Sequence, residues 1–163
     1  MLVLGIDPGT ATTGYGVVNS EGGALSLVSY GVIETPAGTP LPERLQMIYR
    51  GVTEVVRRCG PAEAAVEELF FSKNARTALA VGHGRGVALL ALADAGLPVS
   101  EYKPAQIKQA ITGYGQADKR QMQEMVRLLL GLESLPKPDD AADALAIAIC
   151  HTNTQRLGAL LGS

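Results

Sequence analysis

The sequence predicts an α/β domain: a mixed sheet of five strands flanked by helices. Three observations lead there. The first 34 residues hold three apolar, β-branched runs joined by short turns. Helical and strand periods then alternate through the middle of the chain, and the last third carries helical spacing only. At 163 residues with 47% hydrophobic content, the chain has the size and apolar share of one domain with a real core, spanning 1–163.

The elements follow in order. LVLGID reads as a first strand and PGTATTG as its turn. YGVVNS, ended by SEGG, is a second strand, and LSLVSYGVIE a third, the three forming an antiparallel meander. TPAGTP breaks the pattern. Leu41, Leu45, Ile48, Val52 and Val55 then recur at helical spacing, with Pro42 near the start where proline is tolerated. Cys59-Gly60-Pro61 stops that helix, and AAVEELFF is strand again. Ala75–Ala95 is a long helix and PVSEY a short strand. PAQIKQAI and DKRQMQEMVRLLL are two further helices around the turn TGYGQ. An alanine-rich helix runs from Asp140 nearly to the end.

Several function classes drop out early. No apolar run is long enough to span a bilayer, and the N-terminus lacks the basic stretch and cleavage site of a secretory signal. Cys59 and Cys150 sit in no metal-ligand spacing and read as free thiols, so a cytoplasmic protein is expected. The net charge of −2 hides an uneven distribution. Between Lys73 and Arg127 eight bases stand against four acids, a net +4, which suits a polyanionic partner better than the whole-chain value does.

Four carboxylates carry the chemistry. Asp7 ends an otherwise apolar strand, where an ionised group needs a partner. A turn cap made through the Gly9 or Thr10 amides is the ordinary alternative. Glu67 and Glu68 lie in a strand, so they point to opposite faces and only one can join Asp7; periodicity does not choose between them. Asp140 and Asp143 share a helix face if both are helical. Acids in a first turn also serve as caps, and Asp139 lies beside them. If these positions converge, they make a site for hard divalent cations and metal-dependent phosphoryl chemistry. FFSKNAR adds Phe70 and Phe71 directly before Lys73 and Arg76, a pairing of rings and cations suited to bases and phosphates. Lys108 and Lys119 flank the TGYGQ turn. In the long helix, Ala78, Gly82 and Gly86 recur every four residues, which fits close helix approach within the domain or across a dimer.

LGIDPGT…TGYGVV, RLQMIYRGVTEVV, AVEELFFSKNARTAL, GRGVALLALA, QIKQAITGYGQADKRQMQEMV and DDAADALAIAI, in that order, resemble the RuvC family of Holliday-junction resolvases from Leu2 to about His151. The resemblance implies an RNase H-like fold and a homodimeric, metal-dependent endonuclease cutting four-way DNA junctions. It implies two Mg²⁺ ions per active site, with Mn²⁺ able to serve, and products with 5′-phosphate ends. Its catalytic and metal-binding acids fall on Asp7, Glu67, Asp140 and Asp143. Its stacking aromatic falls on Phe70, and its basic positions on Lys108 and Lys119. A branch-migration helicase complex of the RuvA and RuvB type is the implied partner. An actin-like ATPase also opens with a GIDxGT loop, but it needs a second such domain, for which this chain is too short. A junction-binding dimer with purely structural acids and a smaller family of putative resolvases are the other readings; FFSKN and DAADALA favour RuvC over the latter.

Overall fold

A computed structural model describes residues 1–68 and 74–162. The elements are β1 (Leu2–Asp7), β2 (Thr12–Glu21), β3 (Ala24–Glu34), α1 (Leu41–Cys59), β4 (Glu63–Glu67), α2 (Ala75–Asp94), β5 (Val99–Tyr102), α3 (Pro104–Thr112), α4 (Lys119–Leu130) and α5 (Asp139–Leu161). The strands form one sheet in the order β3-β2-β1-β4-β5. β1, β2 and β3 make the antiparallel meander, and β4 and β5 join it parallel to β1. This is the mixed five-stranded sheet that the sequence predicts.

Most boundaries differ by a residue or so, and three differences bear on the site. β2 starts at Thr12, inside the expected turn, because Gly14 pairs with Asp7 across the ladder. Asp118 lies before α4 as its cap; its carboxylate accepts from the Gln121 N–H at 2.8 Å. The described part of β4 ends at Glu67, before the phenylalanines.

Alternation along β1 sorts the core into two layers. Leu4 and Ile6 pack with Val17, Ala64 and Val66 under α1 and α2, against Ile48, Val52, Ala88 and Leu92. Val3 faces the other way, with Val18 and Ala65, onto α3, α4 and α5 through Ile107, Val126, Leu145 and Ile149. Each fully buried Leu, Ile or Val contributes about 1.5–3 kcal/mol.

α5 is buried from Ala141 to Thr152, Asp143 excepted, and it lies unusually close to the sheet. A Cβ at Gly5 would sit 2.0 Å from the Ala144 carbonyl oxygen, and one at Gly14 would sit 2.0 Å from that of Asp140. The bare backbone of two neighbouring strands therefore receives the helix backbone directly.

Midway along, α5 carries His151, 1% exposed. Its Nδ1 lies 2.8 Å from the Tyr102 hydroxyl and its Nε2 2.5 Å from Glu63 Oε2. These bonds tie β4 and β5 to the helix. Glu63→Ala removes the imidazole's acceptor and is expected to cost about 1–3 kcal/mol. Thermal melts check this, at roughly 2–4 °C per kcal/mol for a chain of this size; an unchanged Tm would contradict it.

Candidate metal centre and nucleic-acid interface

The site sits where β1 and β4 end and α5 begins. Asp7 closes β1 with the parity of Val3 and Gly5, and so faces α5. In β4, Ala65 packs in the α5-side core and Glu63 bonds His151 of α5, so Glu67, two residues on, shares that face. Ile6 and Val66 are in register on adjacent parallel strands, which sets Asp7 and Glu67 side by side at the strand ends. Glu68 has the opposite parity; its N–H continues the ladder to the Tyr102 carbonyl at 2.8 Å.

Asp140 and Asp143 come down on this edge from the first turns of α5. Neither caps the helix: the N-cap is Pro138, with no side-chain cap bond. The turn after Asp7 is tied by Thr13, whose Oγ1 donates to the Gly9 carbonyl at 2.7 Å. The turn after Asp7 is thus closed by Thr13, and α5 starts without a carboxylate cap. Carboxylate oxygens of Asp7, Asp140 and Asp143 lie within 4.8 Å of one another. Glu67 stands outside that trio but lines a cleft of about 270 Å³ with Asp143, Lys108 and Lys119.

Gathering the acids shifts their titration. Burial, then the charges of Asp143, Asp140 and Glu67, and a hydrogen bond with Asp140, push Asp7 up to about 8. Burial and the nearby Asp143 raise Glu67, with Lys108 opposing. Burial raises Asp143, against the pull of Lys119, with Asp140 and Asp139 adding to the rise. Oxygen donors crowded until one holds its proton near neutrality suit a hard divalent cation, which would relieve the repulsion.

The basic positions are distributed around this edge. Lys119 Nζ lies 3.2 Å from Asp139 Oδ2 and 3.8 Å from Asp143 Oδ2. Burial draws its pKa down, but Asp143, Asp139 and Asp140 outweigh that and hold it raised. Asp139 in turn is held below the usual carboxylate range by Lys119 and by Gln123. Arg76 is exposed in the first turn of α2, whose backbone N–H groups are capped by Asn74. Phe70 and Lys73 lie outside the described residues.

Two residues acquire roles that the sequence reading did not assign. Asp139 orients Lys119. Arg85 of α2 reaches the end of β4, its Nε donating to the Glu67 carbonyl at 3.4 Å and its Nη2 lying 3.1 Å from Glu101 Oε1. The net positive charge of the middle stretch, of which Arg85 is one base, was the signal available for it.

Carboxylates gathered over the central strands of a meander-plus-crossover mixed sheet define the class of RNase H-like, metal-dependent nucleases. Residues 3–151 match the family model described as crossover junction endodeoxyribonuclease RuvC. The chain is 65% identical over 162 residues to the crossover junction endodeoxyribonuclease RuvC of Chloroflexus aggregans, covering 97% of this chain and 99% of that protein. It is similar to Thermus thermophilus RuvC solved in complex with Holliday junction substrate, at 42% identity and a TM-score of 0.92, with 97% and 96% of the two chains covered. The yeast mitochondrial Holliday junction resolvase shares the fold at 14% identity, with a TM-score of 0.66 over 94% of this chain and 80% of that one. This chain belongs to the RuvC family of crossover junction endodeoxyribonucleases.

Proposed function

We propose that this chain resolves four-way DNA junctions by paired, symmetric, metal-dependent phosphodiester hydrolysis in recombination and repair, with residues 1–163 acting as one nuclease domain. The observation that carries this is the cluster of Asp7, Asp140 and Asp143 in a chain of this family. The T. thermophilus relative, captured with a Holliday junction, supports the substrate.

Asp7, Glu67, Asp140 and Asp143 would hold Mg²⁺, or Mn²⁺ in its place, with two ions per active site. Such ions supply an activated water and stabilise the leaving oxygen, giving 5′-phosphate ends. The side chains do the rest. Asp7, buried and raised by the charges of Asp143, Asp140 and Glu67, would be the central ligand. Lys108 and Lys119 line the same cleft and bind the phosphates on either side of the cut. Arg76, with Phe70 and Lys73, extends that surface along the DNA, Phe70 as the stacking ring.

A homodimer supplies two such sites for a junction of matching symmetry. The outer face of α2 supports it: Leu79 and Leu90 are 63% and 54% exposed, and a Cβ at Gly82 or Gly86 would meet no other element within 4 Å among the described residues. No helix among the described residues is long and apolar enough to cross a membrane, consistent with a cytoplasmic enzyme. A branch-migration helicase complex of the RuvA and RuvB type is the further partner.

The test is nicking of a synthetic four-way junction beside a linear duplex. Symmetric cuts in the junction with Mg²⁺, none with EDTA and none in the duplex are expected. Equal cutting of the duplex would reject junction specificity. Lys108→Ala and Lys119→Ala should each weaken junction binding and reduce the slope of log affinity against log salt by about one, as one phosphate contact is lost. Gel-shift titrations across salt measure this; an unchanged slope in both variants would place these lysines away from DNA.

A further inference from the structure

We propose that Tyr114 is a stacking platform for an unpaired nucleobase, set one cleft away from the metal centre; this rests on the junction-resolving reading above. Tyr114 lies between α3 and α4, the helices that carry Lys108 and Lys119. At 55% it is the most exposed aromatic ring among the described residues. It is nevertheless held in place. Gly113 ends α3 in the left-handed conformation at φ 76°. The Tyr114 N–H donates to Thr112 Oγ1 at 3.1 Å, and the Ala117 N–H donates to the Tyr114 carbonyl at 3.2 Å. Beyond them the reciprocal bonds of Asp118 and Gln121 lock the start of α4. A ring presented to solvent on a fixed backbone is arranged for contact, since little ordering remains to be done on binding.

The surroundings indicate which contact. The ring walls a cleft of about 330 Å³ with Thr112, Ala117, Gln121, Glu124 and Met125. Ala117 also lines the cleft that holds Glu67, Asp143, Lys108 and Lys119, so the two clefts share a wall. Glu124, the acid here, is held by Arg127 at 2.9 Å. Among the described residues the Tyr114 hydroxyl reaches only Gln116, at 3.3 Å, and the ring face is its main binding feature. A strand whose phosphates meet Lys108 and Lys119 passes beside this ring. In a linear duplex the bases are stacked within the helix, whereas bases at a strand-exchange point can be splayed onto an aromatic face. Such stacking is sequence-tolerant.

The full chain is titrated, with EDTA present to prevent cutting, against a four-way junction carrying 2-aminopurine beside the crossover and against a linear duplex. Tyr114→Ala should weaken junction binding about tenfold, within the range that loss of one stacked base produces. Duplex affinity should stay unchanged, and the 2-aminopurine signal change on binding should disappear. Tyr114→Phe and Tyr114→Trp should retain both, and none of the three should lower Tm. Unchanged junction binding by Tyr114→Ala would overturn the proposal, as would equal losses on junction and duplex. So would a loss in Tyr114→Phe, which would assign the effect to the hydroxyl, or a lowered Tm, which would make the ring a packing residue. A wild-type chain that binds the junction no better than the duplex would instead remove the parent reading, and this inference with it.

Discussion

Asp7→Asn is expected to abolish junction cleavage while leaving junction affinity near that of the wild-type chain. The substitution keeps shape but removes the charge at the centre of the acidic cluster, and Lys108 and Lys119 remain for the phosphates. A second effect separates the metal centre from a purely structural carboxylate. An unfolded Asp releases its proton near 3.8, whereas folded Asp7 holds it to about 8. Between those values the folded state binds a proton that the unfolded chain has already lost. The folded state's advantage is therefore complete below about 4 and is lost as pH rises through about 8. In EDTA, wild-type stability should fall across that window by more than that of Asp7→Asn, which has no carboxyl there to titrate. Adding Mg²⁺ should flatten the wild-type curve, because the cation offsets the repulsion that raises Asp7. Thermal melts across pH, with and without Mg²⁺, measure this alongside cleavage. Cleavage at the wild-type rate by Asp7→Asn would remove the residue from the centre, and identical pH slopes in EDTA would remove the electrostatic account.

Glu67 and Glu68 show where sequence reasoning stops. Alternation establishes that the two acids face opposite ways. It does not say which face meets the helix of Asp140 and Asp143. That depends on α5 packing against Val3, Ala65 and Val18 rather than against Leu4 and Ile6, a choice made between elements 70 or more residues apart. The order and type of elements were legible, since strand alternation and helical spacing are local. The Lys119–Asp139 pair was not: two exposed charges 20 residues apart have no periodicity linking them, and Asp139 reads locally as a first-turn acid suited to the helix dipole. The stacking role expected of Phe70 lies outside the described residues, so the structure adds nothing to it. Arg85 was visible as one base of the positive middle stretch, but its target, the carbonyl of Glu67, depends on how α2 crosses the sheet.

Gly5→Ala should be strongly destabilising, although it adds one methyl group to a strand where alanine ordinarily costs nothing. The added carbon would sit 2.0 Å from the Ala144 carbonyl oxygen and 2.8 Å from the Ala148 nitrogen. Both are backbone atoms of a buried helix, so no side chain can swing aside; α5 itself must lift. Overpacking of this kind costs about 1–3 kcal/mol and occasionally more, and the rigid obstacle places Gly5→Ala at the upper end. At roughly 2–4 °C per kcal/mol, Tm should fall by about 6–12 °C. Lifting α5 also draws Asp140 and Asp143 away from Asp7, so Mg²⁺ should bind more weakly than to the wild-type chain at temperatures where both are folded. Gly14→Ala should behave alike, since its added carbon would meet the Asp140 carbonyl itself at 2.0 Å. Gly158→Ala is the control. It lies in the same helix, α5, with no other element of the described residues within 4 Å of the new carbon, and should stabilise by up to about 1 kcal/mol through helix propensity. Circular-dichroism melts and Mg²⁺ titration of the three variants decide the matter. A Gly5→Ala chain that melts with the wild type and binds Mg²⁺ equally well would show that close seating of α5 on the bare strands does not hold the acids together.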